Sequence, residues 1–319
     1  MEQNYVVIGG AGFIGSHFVE TLLQDNKKVL VIDNYSAGFF DLLDKFNTNS
    51  NLKIIELDVR NTEALINHIN PFSIVIHLAS NPDIAAGISN PRIDFVNGTI
   101  LTESVIEAVR LAKGKRVLYA SGSGVYGELA KKEFVESAEL IPISPYGASK
   151  LSGEAILSAY AHMFDIKVTS FRFANVVGKN QTHGVGYDFL RRLMKDPSQL
   201  HILGDGTQSK PYIHISDVVS AVLNTQNENG KIFDVFNVST NDQITVNEVA
   251  EIVLAKLEIQ RSKIQISYAG GKRGWSGDVP KVILNSQKIR GIGWNPKHDS
   301  RQAITRSINE MHERFYGVS

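Results

Sequence analysis

A run of glycines between an apolar strand and a helix constrains this chain more than any other feature. Tyr5-Val6-Val7-Ile8 is short, apolar and β-branched, which predicts a buried strand. Gly9-Gly10-Ala11-Gly12-Phe13-Ile14-Gly15 follows, and His17 to Leu23 carries helical periodicity. Strand, glycine turn and helix, spaced Gly-x-x-Gly-x-x-Gly, form the context that a dinucleotide pyrophosphate requires. Gly9 permits the tight turn, Gly12 lets the backbone approach the phosphates, and Gly15 lets the helix pack closely. Phe13 and Ile14 stand at the helix N-terminus, where N–H groups and the helix dipole face an anion.

The following strands agree with that reading. Val29-Leu30-Val31-Ile32 is closed by Asp33, followed by Asn34. A carboxylate at this strand end accepts the adenosine ribose hydroxyls and repels a 2′-phosphate, so the cofactor expected is NAD rather than NADP. Lys53 to Leu57 forms a third strand ending in Asp58-Val59, placed to reach the adenine. A fourth, Ser73 to Leu78, ends in Ala79-Ser80, small residues that let a cofactor lie against the strand tip. Asn97, just before Gly98-Thr99, opens a long amphipathic helix running to about Ala112, and either braces the sheet or touches the ligand. Val117-Leu118-Tyr119-Ala120 is a fifth strand, and Lys167 to Arg172 a sixth. Repeated βα units of this kind predict an α/β fold, a Rossmann-type doubly wound parallel sheet with ligands at the strand C-terminal ends.

Tyr146-Gly147-Ala148-Ser149-Lys150 carries the chemistry. A tyrosine and a lysine four apart share one face of a helix, one turn from each other. A free phenol is only about 0.1% ionised at pH 7, and bringing its pKa to about 7 takes roughly 4 kcal/mol. A neighbouring ammonium supplies part of that, and a positive nicotinamide ring can supply more. The pair is therefore a sensible acid/base unit for removing and returning a hydroxyl proton.

Charge and composition narrow the classes. Lys+Arg and Asp+Glu are both 33, so no bulk charge draws the chain to nucleic acid or a membrane surface. There is no cysteine, which excludes disulfides and thiolate metal sites and is consistent with a cytoplasmic protein. No apolar run is long enough to span a bilayer, and no leader pattern precedes the first strand. His183, His201 and His214 lack metal-ligand spacing, so no metal is expected.

Taken together, Gly9 to Gly15, Asp33-Asn34, His77-Leu78-Ala79, Ser121 to Gly127, Tyr146 to Lys150 and Arg172-Phe173-Ala174-Asn175 resemble the extended short-chain dehydrogenase/reductase superfamily. Within it the chain is most similar to the UDP-glucose (UDP-galactose) 4-epimerases of the short archaeal type. Asn175 to Gly178, Thr182 to Val185 and Arg273 to Pro280 support that match. The resemblance implies inversion at C4 of a UDP-hexose through a 4-keto sugar, with Tyr146 as base and Lys150 beside it. It implies NAD contacts at Leu78, Ala79, Ser80, Asn97 and Phe173 besides those already named. A UDP-sugar would be held by Asn175, Gly184, Val185, Lys210, Tyr212, Arg273 and Asp278. It further implies a homodimer through helices near 98–112 and 147–163, and a cytoplasmic enzyme. The domains expected are residues 1–176 for NAD, with return segments near 213–240, and residues 177–212 and 241–319 for the sugar nucleotide.

The chain departs from that pattern in several places. The family usually has Ser or Thr where Gly122 stands, bonded to the sugar 4-oxygen. Ser123 is the first candidate to replace it and Ser121 the second, although strand alternation gives the role to neither automatically. Ser123-Gly124 replaces the carboxyl pair of 4,6-dehydratases, which removes the acid/base group elimination needs. Lys210 stands where Arg is common and offers a charge without a bidentate fork. Trp275 occupies a phosphate-arginine slot, with Arg273 two residues upstream. Val282 lies near the position that gates the sugar 2-substituent. Alternatives are a 4-epimerase of UDP-GlcNAc/GalNAc or of a UDP-uronate, a nucleotide-sugar dehydratase, or a non-catalytic protein that binds NAD and a UDP-sugar.

Overall fold

The computed structural model describes residues 4–36, 40–84, 86–128, 133–225, 230–274, 279 and 283–315. Trp275, Asp278 and Val282 lie outside the described residues. In chain order the elements run β1 (Asn4–Ile8), α1 (Phe13–Gln24), β2 (Lys28–Asp33), β3 (Leu52–Glu56), α2 (Thr62–Ile66), β4 (Ser73–His77), α3 (Ala86–Ser89) and α4 (Arg92–Asp94). They continue with a π-helical turn (Phe95–Ile100), α5 (Leu101–Leu111), β5 (Arg116–Gly122), α6 (Pro145–Phe164), β6 (Lys167–Phe173) and β7 (Asn175–Val177). Next come α7 (Val185–Lys195), β8 (Gln199–Ile202), β9 (Ser209–Lys210), β10 (Tyr212–His214), α8 (Ile215–Asn224) and β11 (Phe233–Val238). The chain closes with β12 (Ile244–Thr245), α9 (Val246–Lys256), β13 (Gln265–Tyr268), α10 (Gln287–Arg290) and α11 (Ser300–Phe315).

Two compact units result. The first comprises residues 1–127, 139–172 and 222–236; the second comprises 128–138, 173–221 and 237–319. Among the described residues, seven strands make one sheet in the order β11-β6-β5-β4-β1-β2-β3. β1 pairs in parallel with β2 and with β4, so the strand order reverses there. Ligands of such sheets bind at that reversal, beyond the strand C-terminal ends. Apolar side chains fill both faces, as parallel strands require: Val7, Val31 and Val75 are fully buried. Val105, Val109 and Leu157 from α5 and α6 cover one face with Val117 and Val168.

The helix bearing Tyr146 and Lys150 starts and stops on local signals. Ser144 Oγ accepts the Gly147 N–H at 3.1 Å, Pro145 occupies the first turn, and Asp165 ends the helix in the left-handed region at φ 52°. The helix expected from Asn97 begins differently. Phe95–Ile100 winds as a π turn before α5 continues the helix. Periodicity cannot reveal such a turn, because one extra residue shifts the phase without altering composition.

In the second unit α7, α9 and α11 enclose an apolar core that includes Leu190, Ile202, Val249, Val253, Ile304 and Ile308. A capping box starts α9: Thr245 Oγ1 accepts the Glu248 N–H and Glu248 Oε2 accepts the Thr245 N–H. β7 pairs in parallel with β10, and β9 pairs antiparallel with β12.

His77, at the end of β4, is completely buried. Its Nε2 meets Thr102 Oγ1 at 3.1 Å and its ring lies 5.3 Å from that of Tyr119. Burial, helped by the nearby Lys150 ammonium, pushes its pKa down to about 3. An unfolded chain takes up this proton near pH 6.5, and the folded one only near 3. Stability from His77 is thus complete above 6.5 and is lost as pH falls toward 3, at up to about 1.4 kcal/mol per pH unit. Urea unfolding from pH 7 to pH 4 should show wild type losing more stability than His77→Gln across this window. Parallel slopes for the two proteins would contradict the assignment.

Candidate active site

The glycine turn is built by contacts that admit no side chain. Gly9 has φ +79°, and a Cβ there would lie 2.8 Å from the Ala79 backbone nitrogen. A Cβ on Gly15 would lie 2.1 Å from the Gly9 carbonyl oxygen. The turn is therefore pressed against both α1 and the tip of β4. Gly12 differs: a Cβ there would come no closer than 3.5 Å to another protein atom. Its glycine serves close approach from outside rather than internal packing. Gly12 is also the N-cap of α1 and makes no side-chain cap, which leaves the helix dipole facing outward beyond Phe13 and Ile14.

Asp33 ends β2 beside this turn, 9% exposed. Its Oδ2 accepts the Ala11 N–H at 2.9 Å and its Oδ1 the Tyr35 N–H at 2.8 Å. Two backbone donors thus orient a carboxylate that keeps lone pairs for vicinal hydroxyls. Asn34 reaches Asp58 at 3.4 Å, and Arg60 Nε donates to Asp58 Oδ1 at 2.9 Å. The Arg60 hydrogen bonds hold the Asp58 carboxyl down to about 2, against a smaller opposing effect of burial. Val59 is buried in the core, so only its backbone can meet a ligand. Leu78, Ala79 and Ser80 are half-buried at the β4 tip, and Asn97 is half-buried in the π turn. These residues fit a dinucleotide: an uncapped helix start for the pyrophosphate and a fixed carboxylate for a ribose.

Tyr146 and Lys150 lie one turn apart on α6. The Lys150 Nζ is 5.7 Å from the Tyr146 ring centroid and 5.3 Å from that of Tyr119. It donates to the Ala120 carbonyl at 2.8 Å, which ties α6 to the end of β5. Lys150 is only 3% exposed, and burial brings its pKa down to about 8 while Asp94 and Glu154 resist the fall. Burial, and then the Asp94 charge, push Tyr146 up to about 12, with Ser80 hydrogen bonding in the opposite direction. The protein's own groups therefore keep Tyr146 a phenol at neutral pH; a lysine one turn away does not overcome the desolvation.

Sequence reasoning overlooked two supports of this pair. Glu154 continues the stripe of Tyr146 and Lys150 by four residues, so its spacing was a usable signal. It is buried and forms a bidentate pair with Arg172, Nε to Oε1 at 3.0 Å and Nη2 to Oε2 at 2.7 Å. Arg172 also donates to Tyr126 Oη at 2.9 Å. The other is Asp94, whose segment carries no periodic pattern at all.

At the end of β5, Ser121 is 4% exposed and its Oγ has no hydrogen-bond partner among the described residues. Ser123 opens a 3-10 turn, Ser123–Val125, and is half-buried. Gly122 between them is extended at φ −157°, and a Cβ there would meet nothing within 4 Å. Neither backbone nor packing requires glycine at that position.

In the second unit, Asn175 and Tyr212 are register partners of β7 and β10, and Asn175 Nδ2 donates to the Pro211 carbonyl at 3.2 Å. Tyr212 is buried, and Lys210 is half-buried in the neighbouring strand β9. Phe173 is buried at the end of β6. Gly184, at φ +102°, caps α7, with Val185 as its first residue. The guanidinium of Arg273 pairs with the carboxylate of Glu128.

A family model described as NAD dependent epimerase/dehydratase family matches residues 5–239. A Methanocaldococcus jannaschii protein, provisionally named a UDP-glucose 4-epimerase, is 30% identical over 96% of this chain and 97% of its own length. The structure of the Thermotoga maritima UDP-glucose 4-epimerase with UDP-glucose superposes with a TM-score of 0.88 at 29% identity, covering 98% of this chain and all of that one. The Thermus thermophilus UDP-glucose 4-epimerase complex with NAD gives 0.85 at 27% identity, covering 97% and 98%.

The contrast between the glycines is directly testable. Gly15→Ala should destabilise the protein by about 1–3 kcal/mol, because the contact is backbone on backbone. It should also weaken NAD binding. Gly122→Ala should leave stability within about 0.5 kcal/mol of wild type. Urea midpoints and NAD titration calorimetry measure both.

Proposed function

Because the chain belongs to the NAD-dependent epimerase/dehydratase family, we propose that it reversibly inverts C4 of a UDP-hexose, interconverting UDP-glucose and UDP-galactose. The observation that carries this reading is the pairing on α6 of half-buried Tyr146 with buried Lys150, in the same unit as the Gly9–Gly15 turn and Asp33. Tyr146, as the phenolate, takes the 4-hydroxyl proton and later, as the phenol, returns it. NAD, held by the Gly9–Gly15 turn and Asp33, would supply the hydride acceptor for C4 and the hydride donor for its opposite face. Lys150, fixed by the Ala120 carbonyl, places a positive charge beside the phenol as its proton leaves. Asp33 orients the adenosine ribose, and the α1 N-terminus receives the pyrophosphate.

The second unit is assigned the sugar nucleotide, with Asn175, Lys210 and Arg273 toward the diphosphate and Gly184, Val185 and Tyr212 toward the nucleoside. Of the two serines proposed for the 4-oxygen, Ser121 is favoured by its buried, unpartnered hydroxyl. The open space at Gly122 supports a second reading, a protein that binds NAD and a UDP-sugar without turnover. Phe95, Ile100, Leu111 and Met163 expose apolar surface on the π turn, α5 and α6, which supports a homodimer through those helices. Sedimentation should then report a dimer that Leu111→Lys with Met163→Glu converts to monomer.

Purified protein given UDP-galactose and no added nucleotide should form UDP-glucose. Tyr146→Phe should reduce that conversion by about 10²–10⁴-fold while NAD stays bound. Full activity in that variant would remove Tyr146 as the base. Bound NAD with no product from UDP-glucose, UDP-GlcNAc or UDP-glucuronate would favour the non-catalytic reading.

A further inference from the structure

Asp94 is the last residue of α4, immediately before the π turn, and is 1% exposed. Its Oδ1 accepts the Asn81 amide N–H at 2.9 Å, and Asn81 is itself buried and tied to the Asp83 backbone. Its Oδ2 is buried with no hydrogen-bond partner among the described residues. A Cβ on Gly87 would lie 2.7 Å from that oxygen, so α3 closes over it and leaves little room for water. The adjoining π turn presses on α6 where Lys150 begins its turn: a Cβ on Gly98 would lie 2.6 Å from Ser149 Oγ. A buried carboxylate with one oxygen unsatisfied is costly unless a charge compensates it.

The compensating charge is found by elimination among the described groups that act on Lys150. Glu154, on α6, is matched by Arg172 through its bidentate pair. His77, on β4, is neutral, and Tyr119, on β5, is held as a phenol by burial. Tyr146, on α6, is likewise a phenol. Asp83 is exposed and acts on Asp94 rather than on Lys150. Arg92, on α4 itself, is exposed. Of the buried carboxylates among these groups, Asp94 is the one with no cation in contact and an oxygen without a donor among the described residues.

We propose that Asp94 is the buried counter-charge of Lys150, a positioning residue that holds Lys150 as an ammonium and Tyr146 as a neutral phenol. The two effects have opposite consequences for a base. Keeping the ammonium preserves the charge that favours phenolate, whereas the carboxylate itself opposes phenolate. Asp94 therefore sets the pH at which the pair becomes active, and the π turn fixes the distance over which it does so. The consequence for turnover rests on the 4-epimerase reading; the charge balance does not.

The test is titration of Lys150 by NMR in protein labelled with ¹³C at lysine Cε, the signal being assigned by its loss in Lys150→Met. Asp94→Asn keeps the shape and the Asn81 contact but removes the charge. It should lower the Lys150 midpoint by about one pH unit or more. Asp83→Asn should move it by only a few tenths. The coupling is reciprocal, so Lys150→Met should raise the Asp94 carboxyl midpoint read by ¹³C NMR, which keeps the proposal testable if Asp94→Asn does not fold. In active protein, Asp94→Asn should shift the acidic limb of the pH–rate profile to lower pH. A Lys150 midpoint unchanged in folded Asp94→Asn, or shifted equally by Asp83→Asn, overturns the proposal. A wild type inactive on every UDP-sugar overturns the 4-epimerase reading and leaves the titration result standing.

Discussion

The burial of one ammonium governs the design of the first unit. Lys150 sits almost fully out of water, and desolvation of a lysine is among the larger single penalties a fold can carry. The structure offsets it with a carbonyl from β5 and with carboxylates on either side. That carbonyl bond also fixes where α6 crosses the sheet, so the charge and the helix position are one constraint. The Glu154–Arg172 pair repeats the link one turn further along, from α6 to β6. Three residues spaced by four thus place a phenol, a charge and an anchor on a single helix face.

Apart from those carboxylates, the surroundings of that ammonium are polar in composition but neutral in charge. His77, Tyr119 and Ser121 each bring to this end of the sheet a buried polar atom without a partner among the described residues. A satisfied network there would spend its hydrogen bonds internally. Burial keeps water out and the local dielectric low, which makes each nearby charge act more strongly. Tyr146 is subject to this effect. Its pKa moves up rather than down, which places the activating work on whatever positive charge arrives beside it.

The legible parts of this site are those built by short-range chemistry. Gly9, Gly15 and Asp33 could be read directly, because a tight turn and a strand end leave their marks within a few residues. The pairing of Tyr146 with Lys150 could be read because helical spacing fixes it. Asp94 could not, since only the π turn and the close approach at Gly98 carry it toward α6. The direction of the Tyr146 shift was also hidden, because spacing reports the neighbouring ammonium but not the depth of burial. Arg273 shows the same limit in the second unit: its contact with Glu128 spans 145 residues of chain, and no local pattern encodes it.

Selectivity between NAD and NADP follows from how the far end of the cleft is wired. Arginine near the β2 end is the usual means of accepting a 2′-phosphate. This chain has one close by, since the Leu57 N–H donates to the Asp33 carbonyl and Arg60 follows three residues later. Arg60 is nevertheless bound to Asp58 through its Nε and backbone N–H, and the pair contributes no net charge. Asp33 meanwhile cannot rotate away from an incoming phosphate without breaking its bonds from Ala11 and Tyr35. The negative potential at this end therefore comes from a carboxylate fixed in place, and the nearby cation is already neutralised. Both features oppose a 2′-phosphate and favour a free ribose diol, so the preference for NAD is a property of backbone geometry as much as of the residue at position 33.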